Sequence, residues 1–208
     1  GKNVKGVVTE KAEEFLAKTV ISNASGLNTF DCLIDDQAVK VRVRPELEAL
    51  EKSISATQVY LGLSKPAKQL GMDQFMFSVN SGYDHDKNFS YSQKGDYKNC
   101  SIAIVDHSQL DPAQAPEGKG TLLIMALDSF ANWQGLDPQE YARKKSEAAK
   151  ILIQRAEKFL PGLWANIEVT EVATPITMQR YTLSPQGAIY GFAQTVAQSG
   201  INRLSQDT

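Results

Sequence analysis

Short apolar and β-branched runs recur along the chain and predict strands. The first two runs, residues 3–9 and 15–22, flank a short charged turn, a pattern typical of a β-hairpin. Further strands are predicted over residues 56–63, 74–79, 101–105, 121–128 and 167–172. The Pro- and Gly-rich residues 111–120 suit a long loop between two of these strands. The pattern therefore predicts a sheet of several short strands.

One long helix is predicted over residues 138–159. Asp137 is a suitable N-cap, Pro138 takes the first helical position and Glu140 the third, an arrangement close to a capping box. An apolar stripe at helical spacing follows, formed by Tyr141, Ala148, Ala149, Leu152, Ile153, Ala156 and Phe159. A Pro-Gly pair at residues 161–162 ends the helix.

Shorter helices are predicted over residues 29–34 and 46–52, the second with Pro45 near its start. No structure is assigned to residues 84–97, a polar stretch with three aromatic residues. Together these elements predict an α/β protein of the α+β type. Its sheet is expected to be mixed and largely antiparallel, with one long packed helix and shorter helices around it.

The composition is that of a packed globular protein. The 208 residues suffice for one large domain or two small ones, and they are 42% hydrophobic and 22% charged. A formal net charge of −2 gives no positive field that would attract nucleic acid. The basic cluster at residues 143–145 lies near Glu140 and Glu147, which favours a solvated helix face over a phosphate site.

The cysteines and the apolar runs bear on where the protein resides. Cys32 and Cys100 are far apart and match neither a zinc motif nor a disulfide framework, which predicts a reduced, cytoplasmic setting. The longest apolar run, residues 122–127, is far shorter than the ~20 residues of a membrane span. No signal peptide opens the chain. Because residue 1 is Gly and a strand pattern follows almost at once, we expect the chain to be part of a longer protein.

The common catalytic and nucleotide-binding motifs are missing from the sequence. No GxGxxG follows a strand, and phosphate-loop, GxSxG and HExxH motifs are also lacking. His85 lies between Asp84 and Asp86, and His107 follows Asp106. These pairs are either metal ligands or ordinary polar residues in a loop and at a strand end.

Aromatic residues are frequent in the stretch around residues 83–97. Tyr83, Phe89, Tyr91 and Tyr97 are either the lining of a hydrophobic ligand cleft or a cover for the sheet. The polar sequence around them has no core periodicity that decides between these alternatives.

The final third of the chain contains a distinctive string. It reads TPIT at residues 174–177, RYT at 180–182 and PQGAIYGF at 185–192. This string resembles the signature of the FAD-dependent oxidoreductases of the phytoene desaturase, carotenoid isomerase and retinol saturase group. Weaker similarity to that family extends over residues 6–8, 17–24, 111–119 and 203–208.

The resemblance implies a substrate-binding domain like that of amine-oxidase-like flavoenzymes. Residues 1–28 would be flanking strands of the flavin-binding domain, residues 29–192 the substrate-binding domain, and residues 193–208 a return segment toward the flavin-binding domain. The family's dinucleotide-binding motif and its closing glycine-rich segment would lie outside the chain. The chain alone is therefore expected to be inactive and not to hold FAD tightly, whereas the resemblance implies that the longer parent protein is an FAD-dependent enzyme.

The resemblance also suggests site residues. Tyr190 lies between Gly187 and Gly191, and with Ala188 and Arg180 it is expected to contact the flavin. Glycine permits a close approach to a flat ring, and arginine pairs with a carboxylate or stabilises an electron-rich flavin. Two alternatives remain: the first glycine is only a turn residue, and the arginine only bridges a helix to the sheet.

Substrate contacts are expected from three aromatic residues, Tyr181, Phe192 and Tyr91. No residue is identified as a catalytic acid or base or as a metal ligand, because in this group the redox chemistry belongs to the flavin.

The expected partners are a long apolar polyene or lipid substrate and the FAD-binding domain of the same chain, but no nucleic acid. Peripheral membrane association of the parent protein and self-association of the fragment are left open. Two other functions are also considered: a non-enzymatic module that carries a hydrophobic ligand, and a hydrolase or metal enzyme that uses His85 or His107.

Overall fold

A computed structural model describes residues 4–203. Asn3, in the first predicted strand, and residues 204–208, in the predicted return segment, lie outside the described residues. The described chain forms two compact units that divide between Ala49 and Leu50. The domain boundaries suggested by the family resemblance remain predictions.

The first unit contains the hairpin predicted at the start of the chain. Strands β1 (Gly6–Val8) and β2 (Glu14–Leu16) are antiparallel, with Val7 opposite Phe15. The charged turn closes through a hydrogen bond of 2.9 Å from the Ala12 amide to the Thr9 carbonyl. The hairpin prediction is therefore confirmed, although both strands are shorter than the apolar runs that indicated them.

Two helical segments follow the hairpin. Helix α1 (Gly26–Asn28) continues into a π-helical turn at Thr29–Leu33, which confirms the short helix predicted there. Helix α2 spans Gln37–Ala49, so the prediction that Pro45 starts a helix is wrong: Pro45 lies in its interior.

Helix α2 begins at a cap formed by Asp36. The carboxylate of Asp36 accepts a hydrogen bond of 3.0 Å from the amide of Ala38, as an N-cap residue does. An ion pair of 2.7 Å between Arg44, before the proline, and Glu48, after it, joins adjacent turns.

The second unit is built on a five-stranded sheet in the order β4-β5-β6-β3-β7, in which all neighbouring strands are antiparallel. The strands are β3 (Ser55–Leu63), β4 (Met76–Val79), β5 (Ile102–Val105), β6 (Gly120–Asp128) and β7 (Ile167–Ala173). Each corresponds to a predicted strand. The α+β fold class with a largely antiparallel sheet is confirmed.

The long helix α4 (Pro138–Glu157) provides the helical side of the core. Asp137 caps it as predicted, because its carboxylate accepts hydrogen bonds of 2.8 and 2.9 Å from the amides of Gln139 and Glu140. Five residues of the predicted apolar stripe are buried: Ala148, Ala149, Leu152, Ile153 and Ala156. They belong to the same core cluster as Val59, Leu61, Ile104, Leu122 and Ile124 of the sheet.

Two further helices complete the second unit. Helix α3 (His85–Gln93) occupies the polar stretch to which the sequence assigned no structure, and α5 (Pro175–Thr182) covers most of the TPIT–RYT string. No helix in the described part of the chain is long and apolar enough to cross a membrane.

Candidate functional site

The two faces of the five-stranded sheet differ in burial. Val59, Leu61 and Leu63 of β3 are buried in the core, whereas Gln58 and Gly62 between them are half-buried and Tyr60 is 45% exposed. Because side chains alternate along a strand, the second set lies on the other side of the sheet. We call this side the open face. Its residues in the central part of the sheet, placed by the strand register, are Gln58, Tyr60, Gly62, Met76, Ser78, Ala103, Val105, Thr121, Leu123, Met125, Val169 and Glu171.

One row of residues crosses the open face from strand to strand. Each is directly opposite the next, in the order Met76, Val105, Leu123, Tyr60 and Glu171. Four strand spacings of about 4.8 Å give the row a length of roughly 19 Å. The row is apolar at its β4 end and polar at its β7 end, which suits an elongated apolar molecule.

Polar side chains on the open face contact one another. The Tyr60 hydroxyl donates a hydrogen bond to the side-chain oxygen of Gln58. The amide nitrogen of Gln58 lies 3.4 Å from the sulfur of Met125. Partial burial raises the pKa of Tyr60, so this hydroxyl stays protonated and able to donate at neutral pH.

The TPIT–RYT string forms helix α5 and its N-terminal cap. Thr174 is fully buried, and its hydroxyl accepts a hydrogen bond of 3.4 Å from the amide of Thr177. The same hydroxyl lies 2.8 Å from the Tyr141 hydroxyl on α4. Leu183, with a φ of +58°, ends the helix. The string therefore positions α5 against the long helix.

The glycine-containing segment after α5 lies along the residues that precede and begin β3. The Tyr190 amide donates a hydrogen bond of 3.0 Å to the Ser53 hydroxyl, and Lys52 and Phe192 form a β-bridge. Backbone hydrogen bonds join Ile189 N to Ile54 O (3.3 Å), Ser53 N to Gly191 O (2.9 Å) and Ala193 N to Glu51 O (2.8 Å). This antiparallel pairing fixes the segment at the start of β3.

Gly187 is required by the protein's own packing. Its φ is +61°, and a Cβ there would overlap the Pro175 carbonyl oxygen and lie 3.0 Å from the Ser55 hydroxyl oxygen. That hydroxyl donates a hydrogen bond of 2.7 Å to the Gly187 carbonyl. The turn interpretation therefore accounts for this glycine without a cofactor.

Other residues in and near this segment are exposed. Gly191 has a φ of +74° and no heavy atom within 4 Å of the place where its Cβ would lie, and the Tyr190 side chain is 67% exposed. Arg180 lies 5.5 Å from the ring centre of Tyr181, which is 76% exposed. Their contacts with flavin and substrate remain predictions.

The remaining predicted contact residues are less exposed. Ala188 is buried and Phe192 is half-buried, so both anchor the segment. Tyr91 lies on α3, where it packs against the core and has the Lys87 ammonium 6.0 Å from its ring centre. Its role in substrate binding remains a prediction.

The acidic residues beside the two histidines act as local caps. Asp84 accepts a hydrogen bond of 2.9 Å from the Lys87 amide, and Asp106 accepts one of 3.0 Å from the Ser108 amide. Across residues 4–203, no group of three or more His, Cys, Asp or Glu side chains is arranged to hold a metal ion.

The open face could not be identified from the sequence. Alternation indicates which residues share a face, but it does not show which face the helix covers. The resemblance directed attention to the string after β7 and missed Tyr60, Gly62 and Leu123 on the sheet itself.

Comparison with known proteins identifies relatives of this chain. No protein-family model matches it. It is 32% identical over 192 residues to a chloroplastic prolycopene isomerase of Arabidopsis thaliana, a match that covers 89% of this chain and 30% of that protein. The chain is related to the carotenoid oxidoreductases. The resemblance found in its sequence is thereby confirmed.

Other relatives agree. An all-trans-retinol 13,14-reductase of Danio rerio is 26% identical over 224 residues, covering 97% of this chain and 35% of that protein. A 1-hydroxycarotenoid 3,4-desaturase of a Flavobacterium species is 28% identical over 193 residues, covering 91% and 37%. The chain thus spans about a third of the length of the curated relatives it matches.

A solved structure shows a weaker likeness. The match is to an oxidoreductase from Methanosarcina mazei and covers 82% of this chain and 33% of that protein's chain. Its TM-score is 0.46 and the sequence identity is 16%. A likeness of this extent does not by itself establish a shared fold.

Proposed function

We propose that this chain is the substrate-binding region of an FAD-dependent oxidoreductase that acts on a long apolar polyene. The observation that carries the proposal is the open face, with its apolar row of Met76, Val105 and Leu123. The names of the relatives, an isomerase and a desaturase of carotenoids and a reductase of retinol, support the substrate class. Whether the enzyme desaturates, saturates or isomerises is left open.

The binding energy would come from apolar contact across the sheet. A polyene is an extended hydrocarbon, and burial of apolar surface contributes about 25 cal/mol per Å². The row of five side chains is roughly 19 Å long and can contact an extended hydrocarbon along much of the hydrocarbon's length. The β7 end of the row, at Tyr60 and Glu171, supplies polar groups that would orient it.

FAD would supply the redox chemistry in the longer protein. Tyr190 and Gly191 are the residues best exposed to meet its ring, with Arg180 nearby in sequence on α5. Gly187 and Ala188 would act indirectly, because they hold this segment in place. The chain alone is proposed to be inactive and to bind flavin weakly. Recovery of stoichiometric flavin with the purified chain would contradict this part of the proposal.

Polyene binding by the open face can be tested with all-trans-retinol, titrated into the chain while tryptophan fluorescence is followed. Met125→Glu places a charge on the open face and is expected to weaken binding about tenfold or more, because the charge must be desolvated. Thr170→Glu is the matched control, since Thr170 is exposed on β7 and points to the other side of the sheet. Equal affinity of the two variants would exclude the open face as the binding surface.

A conversion assay on the full-length protein, beside the binding titration, addresses the alternative of a non-enzymatic carrier. The full-length protein that contains this region should convert a bound polyene only when flavin is present. Tight polyene binding without flavin-dependent conversion would favour a carrier instead.

A further inference from the structure

The open face contains a cavity that is lined in part by Gly62. In the strand register Gly62 is directly opposite Thr121 on β6 and Val169 on β7. Because glycine has no side chain, the position between these two neighbours is empty. A Cβ at Gly62 would lie 3.2 Å from the Cβ of Val169, so the space is narrow at that side. The cavity has a volume of about 330 Å³, within the range of roughly 300–1,000 Å³ typical of small-molecule sites.

Apolar and polar residues together line the cavity. Leu123 and Val169 contribute apolar side chains to the lining. The polar residues of the lining are Tyr60, His107, Gln114, Thr121 and Glu171. A ligand group suited to this site is apolar over most of its surface and carries a hydrogen-bonding atom.

Thr121 has a hydroxyl that the fold does not use. Its oxygen is buried and has no hydrogen-bond partner among the described residues. Buried hydroxyls are normally paired, because an unpaired one loses its bonds to water without replacement. Thr121 is also one of the residues that line the cavity, so a ligand bound there could pair with this hydroxyl after a rotation about the Cα–Cβ bond.

The cavity adjoins the polar end of the row across the sheet. Tyr60 and Glu171 end that row and also line the cavity. An extended molecule lying along the row therefore reaches the cavity with one of its ends. Glu171 carries acceptor oxygens, whereas Thr121 can donate, so the site can pair both the proton and the lone pairs of a hydroxyl group.

We infer that this cavity binds the hydroxyl-bearing end of a polyene alcohol. The inference rests on the proposed function and adds to it the chemical class of the substrate's end group. A site built to pair a hydroxyl discriminates against an analogue without one, because the buried polar groups then remain unpaired.

The test compares all-trans-retinol with its deoxy analogue, in which hydrogen replaces the hydroxyl group. The chain is expected to bind retinol about tenfold more tightly than the deoxy analogue. Thr121→Val should reduce that preference severalfold and leave affinity for the deoxy analogue unchanged, since valine keeps the shape and removes the hydroxyl. Thr121→Ser keeps the hydroxyl and should retain the preference. Thr170→Val is the same change outside the cavity and should have no effect.

Gly62→Val tests the shape of the cavity independently. The valine side chain fills the position between Thr121 and Val169 and should weaken binding of retinol, with thermal unfolding measured to confirm that the variant folds. Unchanged preference in Thr121→Val, or full retinol affinity in folded Gly62→Val, would overturn the inference. If Met125→Glu alone lost binding, the proposed function would stand and only this inference would fail. If the chain bound neither polyene, both would fail.

Discussion

At the end of β6, the Asp128 carboxylate is fully buried and accepts hydrogen bonds from four side chains. The donors are Thr57 Oγ1 (2.6 Å), Trp133 Nε1 (2.6 Å), Asn132 Nδ2 (2.8 Å) and the Tyr97 hydroxyl. A buried carboxylate is costly unless it is fully paired, so these donors are what allow Asp128 to lie in the core. Tyr97, one of the aromatic residues considered as a cleft lining, belongs to this network instead.

The environment of Tyr97 predicts how stability depends on pH. Burial, and then the neighbouring charge of Asp128, raise the pKa of Tyr97 well above its usual range. Below about pH 10 the hydroxyl is protonated in the folded and the unfolded chain. Above that pH the unfolded chain releases the proton while the folded protein keeps it, so the free energy of unfolding falls as pH rises.

Urea unfolding between about pH 8 and about pH 11 measures this contribution. Tyr97→Phe should lose stability less steeply with pH than the unmodified chain, by up to about 1.4 kcal/mol per pH unit. Tyr83→Phe is the matched control, because Tyr83 is fully exposed and its removal should leave the slope unchanged. Identical slopes for the two variants would contradict the assignment of Tyr97 to a buried network.

At the scale of elements, sequence patterns predicted the strands and helices in which the local conformational preference agrees with the tertiary packing. The alternation in β3 and β6 and the capped stripe of α4 predicted those elements to within two residues. The first part of α2 and the whole of α3 were not predicted, for a different reason. Helix α2 contains Pro45 and starts at a single cap, Asp36. Helix α3 is mostly polar and starts at a single cap, Asp84. Such caps are common in loops as well, so they predict a helix only when an apolar stripe follows.

The segment after α5 gives a test of what its glycines do. Gly187→Ala introduces a Cβ into the Pro175 carbonyl at a positive φ, whereas Gly191→Ala meets only the strain of a positive φ. We expect Gly187→Ala to lower the free energy of unfolding by about 3 kcal/mol or more and Gly191→Ala by about 1 kcal/mol. Thermal and urea unfolding measure both.

The same two variants distinguish a structural role of these glycines from a role in binding the cofactor. In the full-length protein, Gly191→Ala is expected to reduce the free energy of flavin binding by more than it reduces the free energy of unfolding. The reason is that the glycine is exposed where a ring could approach. Equal losses of stability in the two variants would show that the Gly187 turn is not the constraint we describe.

At the scale of the whole molecule, the core and the open face both belong to the second unit. The main core cluster contains residues from Val59 to Leu163, and every residue of the open face lies between Gln58 and Glu171. The sequence could predict the sheet and its helix from patterns, and the resemblance found the string after β7. The sequence could not predict the open face, because its residues are brought together by the register of five strands and that register is set by long-range pairing.

Because the core lies within one unit, residues 50–208 are expected to fold and bind polyene without residues 1–49. The shortened chain should unfold cooperatively in urea, since a cluster that includes Trp133, Leu152 and Ile124 is retained complete. Its affinity for all-trans-retinol should stay within about threefold of the full 208-residue chain, because no residue of the open face is removed. A non-cooperative transition would show that the core needs the first unit. Cooperative unfolding with loss of retinol binding would show instead that the first unit contributes to the binding surface.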